Sequence, residues 1–137
     1  MTHERLLLIR GIPGSGKSTL AKRLIANGEY DAHFETDDYF TDDSGRYRFV
    51  AENIQEAVQR CFSNTEHALK SGKRVIVSNT FTRVWEMQSY IELAKQLNIE
   101  VSIITCTNTF QNVHDCPEEK VQQMKDRFEH DISELFE

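Results

Sequence analysis

The chain has 137 residues and a net charge of −6 at pH 7, enough for one domain with a proper core and too little for two. The short apolar stretch before Arg10 leads into a glycine-rich loop rather than a cleavage site, and no run is long and apolar enough to cross a membrane, so neither a signal peptide nor a span is expected. Cys61, Cys106 and Cys116 are odd in number, widely spaced and without a CxxC pair, which argues against a disulfide framework or a metal cluster and for a reducing cytoplasm.

Acidity concentrates between Asp115 and Glu137 and leaves the remainder nearly neutral. A nucleotide or nucleic-acid substrate is compatible with that balance, whereas nonspecific attachment to a duplex should be weak.

The run from Arg5 to Arg10 predicts a buried strand, followed by GIPGSGKS and a helix from about Lys17 to Ala26 that Asn27 and Gly28 stop. AHFET predicts a short second strand ending at Asp37 and Asp38, and YFTDDSGRYRF a loop or small hairpin. From about Ala51 to Lys70, the positions Ile54, Ala57, Val58, Cys61, Phe62, Ala68 and Leu69 follow helical spacing until Ser71 and Gly72. RVIVSN is a β-branched third strand. Thr82 then caps a helix with Val84, Met87, Ile91, Ala94 and Leu97 on its inner face, and Trp85 and Tyr90 are read as packing residues of it. EVSIIT is a fourth strand, and a last helix runs from about Glu118 to Phe128. The intervening segment from Cys106 to Pro117 has no periodicity and is read as a lid.

Strands alternating with helices predict an α/β domain of about four parallel strands with helices on both faces. Ligands of such sheets sit beyond the carboxyl ends of the strands, which places the glycine-rich loop, Asp37, Asp38, Asn79, Thr80 and the segment after the fourth strand on one rim.

GIPGSGKS has the spacing GxxxxGKS, with Gly11, Gly16, Lys17 and Ser18 in the required places. Glycines let the backbone wrap a polyphosphate, and the following helix turns its positive end toward it. Lys17 reaches the outer phosphates as a catalytic charge, and the Ser18 hydroxyl binds Mg²⁺. Phosphoryl transfer also needs a group to orient the attacking hydroxyl. Asp37 or Asp38 supplies it, Asp37 first because strand alternation aims only one of them into the cleft; the other reading of TDD is a turn cap.

GIPGSGKSTLAKRLI, TDDYF and VIVSNTF together resemble the P-loop kinase family that contains the 5′-hydroxyl polynucleotide kinases and small AAA-type ATPases or kinases. The likeness runs from Leu6 to about Phe128 and includes YRF, WEM and NVH. It implies a three-layer P-loop NTPase fold of the nucleoside-kinase type, with Gly14, Ser15, Gly16, Lys17, Ser18 and Thr19 on the nucleotide and Asp37 as general base. The polynucleotide kinases follow DDY with an arginine that contacts the acceptor strand, where this chain has Phe40. They also carry lid arginines, where TFQNVHDCP offers only His114 as a latent cation.

Candidate acceptor contacts are Asp38, Asn79, Thr80, Arg83, His114, and Arg46 and Arg48 beside Tyr47 and Phe49. Alternating cations and rings hold phosphate and stack a base, although a hairpin with a solvated face reads the same way. The expected function is transfer of the γ-phosphate of ATP, with Mg²⁺, to a hydroxyl of a nucleotide, a nucleic-acid 5′ end or a small acceptor. The competing expectation is a regulatory module that hydrolyses ATP slowly and meets a protein partner through the acidic segment at about 129–137.

Overall fold

The apolar run after Arg5 forms β1 (Leu6–Arg10), buried along its whole length as a strand covered on both faces must be. The protein is described here from a computed structural model, which covers residues 5–107 and 118–136. β1 lies between β3 (Val75–Asn79) and β4 (Val101–Thr105), and β2 (Ala32–Phe34) pairs with the far side of β3. The order is β2-β3-β1-β4 with every pair parallel.

Alternation along these strands sorts the core into two layers. Leu7, Ile9 and Ile76 meet Ala21, Leu20 and Leu24 of α1 (Lys17–Ala26). Leu6, Leu8, Val75 and Val77 face the other way, toward Cys61 and Leu69 of α2 (Ile54–Lys70) and Met87 and Ile91 of α3 (Trp85–Gln96). The expected parallel sheet with helices on both faces is therefore present. No helix among the described residues is long and apolar enough to cross a membrane.

Three local expectations need correction. β2 ends at Phe34, and TDDYF forms a 3-10 turn (Thr36–Phe40) instead of extending the strand. Its cause is local hydrogen bonding: Asp38 Oδ2 accepts the Glu35 N–H at 3.0 Å, and the Asp38 N–H returns to the Glu35 carbonyl at 3.1 Å. Thr82 does not cap α3, which begins at Trp85; its hydroxyl is buried and donates to Glu86 Oε1 at 3.2 Å. Trp85 is 73% exposed and packs on nothing in the core, whereas Tyr90 is buried between Phe62 and Phe81 as expected.

The hairpin is small and tightly turned. Asp42 Oδ1 accepts the N–H groups of Ser44 and Arg46, and Thr41 bridges Tyr47 across it. Of the expected lid, residues 108–117 lie outside the described residues, as does His114.

After α4 (Glu118–Arg127) the chain packs back on the domain. The Glu129 N–H donates to the Thr82 carbonyl at 2.7 Å, its carboxylate accepts the Val84 N–H at 2.9 Å, and Leu135 is buried in the larger core. The segment read as an acidic signalling tail is thus part of the core on one side, with Asp131 and Glu134 left at the surface.

Arg10, at the end of β1, ties these parts together. It has no exposed surface; Nε and Nη2 donate to the Phe81 carbonyl at 3.1 and 2.8 Å, Nη2 also to the Glu129 carbonyl, and the guanidinium lies 4.1 Å from the centre of the Phe128 ring.

Leu135 provides the test of the packed C-terminal segment. Leu135→Ala should lower the unfolding free energy by about 2–5 kcal/mol in urea titrations. Glu134→Ala, at its exposed neighbour, should change it by less than about 0.5 kcal/mol.

Candidate active site

β1 delivers the glycine-rich loop to the carboxyl edge of the sheet, where the Gly11 N–H donates to the Thr80 carbonyl at 3.2 Å. Gly11 has no room for a side chain: a Cβ there would strike the Ser15 side chain and lie 2.8 Å from the Cys106 carbonyl. Gly16 takes a left-handed φ of 94° just before α1, a conformation that favours glycine. No side chain caps α1 and no acid lies in its first turn, so the positive end of the helix is left for a ligand. The Ser15 hydroxyl is buried without a hydrogen-bond partner in the chain. A phosphate group fits this set: close backbone, an uncapped helix start and an orphaned donor.

Lys17 Nζ donates to the Ile12 carbonyl at 3.2 Å, folding the ammonium over the loop. Burial holds it below the ordinary lysine range, and the carboxylates of Glu35 and Asp37 and the thiol of Cys106 pull it back. An ammonium so placed gains from an anion.

Ser18 Oγ lies 3.2 and 3.1 Å from the two carboxylate oxygens of Glu35 and donates to them. Glu35 is a site residue that the sequence does not single out, because AHFET reads as continuous strand and draws attention to the two aspartates after it. Burial pushes its carboxyl up; the Ser18 hydrogen bond and Lys17 oppose this, and the charges of Asp38 and Asp37 add to it. His33 Nε2 stands 2.6 Å from Ser78 Oγ and 3.5 Å from Glu35 Oε1, and burial holds this imidazole below its usual range. Hydroxyl and carboxylate oxygens are the hard donors that Mg²⁺ takes. Among the described residues no group of three or more His, Cys, Asp or Glu is arranged to hold a metal alone, and a cation at Ser18 and Glu35 would complete its shell with water or phosphate oxygens.

The two aspartates part company on the 3-10 turn. Asp38 is exposed and caps the turn, realising the capping alternative. Asp37 is half-buried and close enough to Lys17 and Glu35 to act on the charge of both; the Tyr47 hydroxyl donates to its Oδ1 at 3.4 Å. Asn79 holds this turn in place: its Oδ1 accepts the Thr36 N–H at 2.8 Å and its Nδ2 reaches Cys61 Sγ at 3.9 Å.

Phe40 stands where the resemblance has an arginine, and it is buried against Phe49 and Tyr47 with ring centres 5.0 and 6.5 Å away. It anchors the hairpin on which Arg46 and Arg48 are exposed. Arg83 is exposed too, but its Nη1 is 4.0 Å from Glu129 Oε2, beside the C-terminal segment. Thr80 meets the loop through its carbonyl, and Thr19 is exposed on α1.

Over residues 6–130 the sequence matches the family described as the AAA domain. It is 30% identical to NEDD4-binding protein 2 of Homo sapiens, across 93% of this chain and 8% of that protein. It is 24% identical to the bifunctional polynucleotide phosphatase/kinase of Schizosaccharomyces pombe, across 93% of this chain and 30% of that one. A chain of the Pnkp1/Rnl/Hen1 RNA repair complex has the same fold, with a TM-score of 0.63 at 21% identity over 93% of this chain and 38% of its own. The chain therefore spans a minor part of each of these proteins.

Gly11 tests the loop geometry. Gly11→Ala should lower the unfolding free energy by about 1–3 kcal/mol, because the added methyl must displace Ser15 or the Cys106 carbonyl. Parental stability in urea would show that the loop does not close on those two residues.

Proposed function

The chain belongs to the AAA domain family, and from that premise we propose that it is a P-loop phosphotransferase that binds ATP with Mg²⁺ and passes the γ-phosphate to a hydroxyl. The acceptor we favour is a nucleotide or the 5′ end of a nucleic acid. The observation that carries the reading is the glycine-rich loop itself, with the Lys17 ammonium folded over it, an uncapped start of α1 and the unpartnered Ser15 hydroxyl, while the charge of Asp37 acts on that ammonium.

In this reading the loop and the start of α1 hold the phosphates, and Lys17 meets the charge that grows on the outer phosphate oxygens during transfer. Ser18 is the hydroxyl that would hold Mg²⁺, which neutralises phosphate charge when bound. Asp37 accepts the proton of the acceptor hydroxyl as its oxygen bonds to phosphorus and the bond from phosphorus to ADP breaks. Asp37 leads because it is half-buried and its charge acts on the loop lysine, whereas Asp38 is spent on the turn.

Two features support a nucleotide acceptor. The Schizosaccharomyces pombe relative is a polynucleotide phosphatase/kinase by name. The hairpin that carries Arg46, Tyr47, Arg48 and Phe49 reaches Asp37 through the Tyr47 hydroxyl, which sets exposed rings and cations beside the base.

γ-labelled ATP offered with 5′-hydroxyl oligonucleotides, nucleosides and small metabolites should leave label in one acceptor class. The same slow hydrolysis with every acceptor would assign the regulatory ATPase instead. Once an acceptor is found, Asp37→Asn should reduce its phosphorylation by about 10²–10⁴-fold with ATP affinity nearly unchanged. Asp38→Asn keeps an oxygen for the Glu35 N–H and should stay close to the parent.

Lys17→Ala gives an independent check, because it removes the side-chain cation folded over the loop. Turnover of labelled ATP should be abolished; parental turnover would show that the loop is not the site.

A further inference from the structure

P-loop sites hold their divalent cation between the loop serine or threonine and a carboxylate from a neighbouring strand. β3, the strand beside β1, offers none here: it ends in Ser78, whose hydroxyl is 2.6 Å from His33 Nε2, and Asn79, whose amide holds the aspartate turn. β4, on the other side, ends in Thr105. Asp38 is folded onto the Glu35 N–H, and Asp37 sits in the following turn against Tyr47. Glu35 is the acid whose carboxylate reaches the Ser18 hydroxyl, with both oxygens.

We propose that Glu35 is the carboxylate that holds the divalent cation together with Ser18, so that the metal is anchored from the end of β2 instead of the end of β3. The assignment rests on the nucleotide-binding reading above.

Reach explains why a glutamate serves. β2 lies one strand further from β1 than β3 does, and a side chain starting there needs the additional methylene to meet the loop serine. His33 steadies it, since its ring nitrogen sits between Ser78 Oγ and Glu35 Oε1. Charge explains why a cation belongs there. A half-buried carboxylate with Asp37 and Asp38 nearby and Lys17 as its counter-charge is poorly compensated by one hydroxyl. A dication that shares its shell with phosphate oxygens supplies the missing positive charge.

Mn²⁺ binding, followed by the loss of the free-ion electron paramagnetic resonance signal, tests the assignment with a non-hydrolysable ATP analogue on the full chain. Glu35→Gln should weaken Mn²⁺ in the ternary complex by about 10- to 100-fold while binding of the analogue in EDTA stays parental. Parental Mn²⁺ affinity, or equal loss of metal-dependent and metal-free binding, would overturn it. Glu35→Asp keeps the charge and serves if the glutamine variant fails to fold; its shorter arm should still weaken Mn²⁺, and parental affinity there would also overturn the assignment. If the parent bound no analogue at all, the phosphotransferase reading would fall and this assignment with it. Parental analogue binding with an unaffected glutamine variant would remove only the role of Glu35.

Discussion

The rim of this domain is referred to one buried guanidinium. Arg10 has no exposed surface, and burial holds it below its ordinary pKa against the pull of Glu129 and Glu86. A buried cation is tolerated only where several acceptors surround it. Here they come from separate pieces of chain: the carbonyls of Phe81 and Thr82 after β3, and the carbonyl of Glu129 after α4, with the Phe128 ring against one face. Phe81 is held at a left-handed φ of 45°, unusual for a residue with a bulky side chain. Two of the Arg10 N–H groups meet its carbonyl, and its ring is fixed on Tyr90. Because Gly11 follows Arg10 directly, the first residue of the loop, the turn after β3 and the chain after α4 share one reference point.

The polar side of the rim is balanced differently. Its charges face each other without cancelling: Glu35 and Asp37 act on Lys17, and both aspartates act on Glu35. Uncharged groups hold these side chains where they are. Asn79 fixes the aspartate turn from β3, His33 steadies Glu35 from β2, and Phe40 pins the hairpin from beneath. The sheet supplies position, and the acids and the lysine supply a local field that a metal-bound polyphosphate would complete.

Much of this was legible in the sequence, for reasons that differ by element. Continuous apolar runs marked β1 and β3 because a strand covered on both faces has no polar side to show. GxxxxGKS marked the loop because backbone approach and a helix start require those residue types. The turn at TDDYF was not legible as such. Two acids after AHF fit the end of a strand equally well, and only the hydrogen bond between Asp38 and the Glu35 N–H decides for a 3-10 turn. Glu35 was hidden for the same reason, since its contact with Ser18 depends on where β2 stops. Trp85 shows the limit of reading by type: a large ring in a helix suggests packing, but Val84, Met87 and Ile91 make the inward face and Trp85 is turned to solvent beside it. At the C-terminus the count of acids masked Leu135, one apolar side chain that outweighs its charged neighbours in placing the segment.

The order of the strands has a consequence for how the domain forms. β1 is central, yet its partners come late in the chain: Leu6 pairs with Val75 on one side and Val101 on the other. No hairpin can begin this sheet, and every strand contact waits for a long loop to close. During synthesis, the backbone edges of LLLI must remain unpaired until β3 has emerged, and Gly11 cannot find the Thr80 carbonyl before then. The glycine-rich loop is made before the strand that shapes it, so its conformation must be one of the later features acquired.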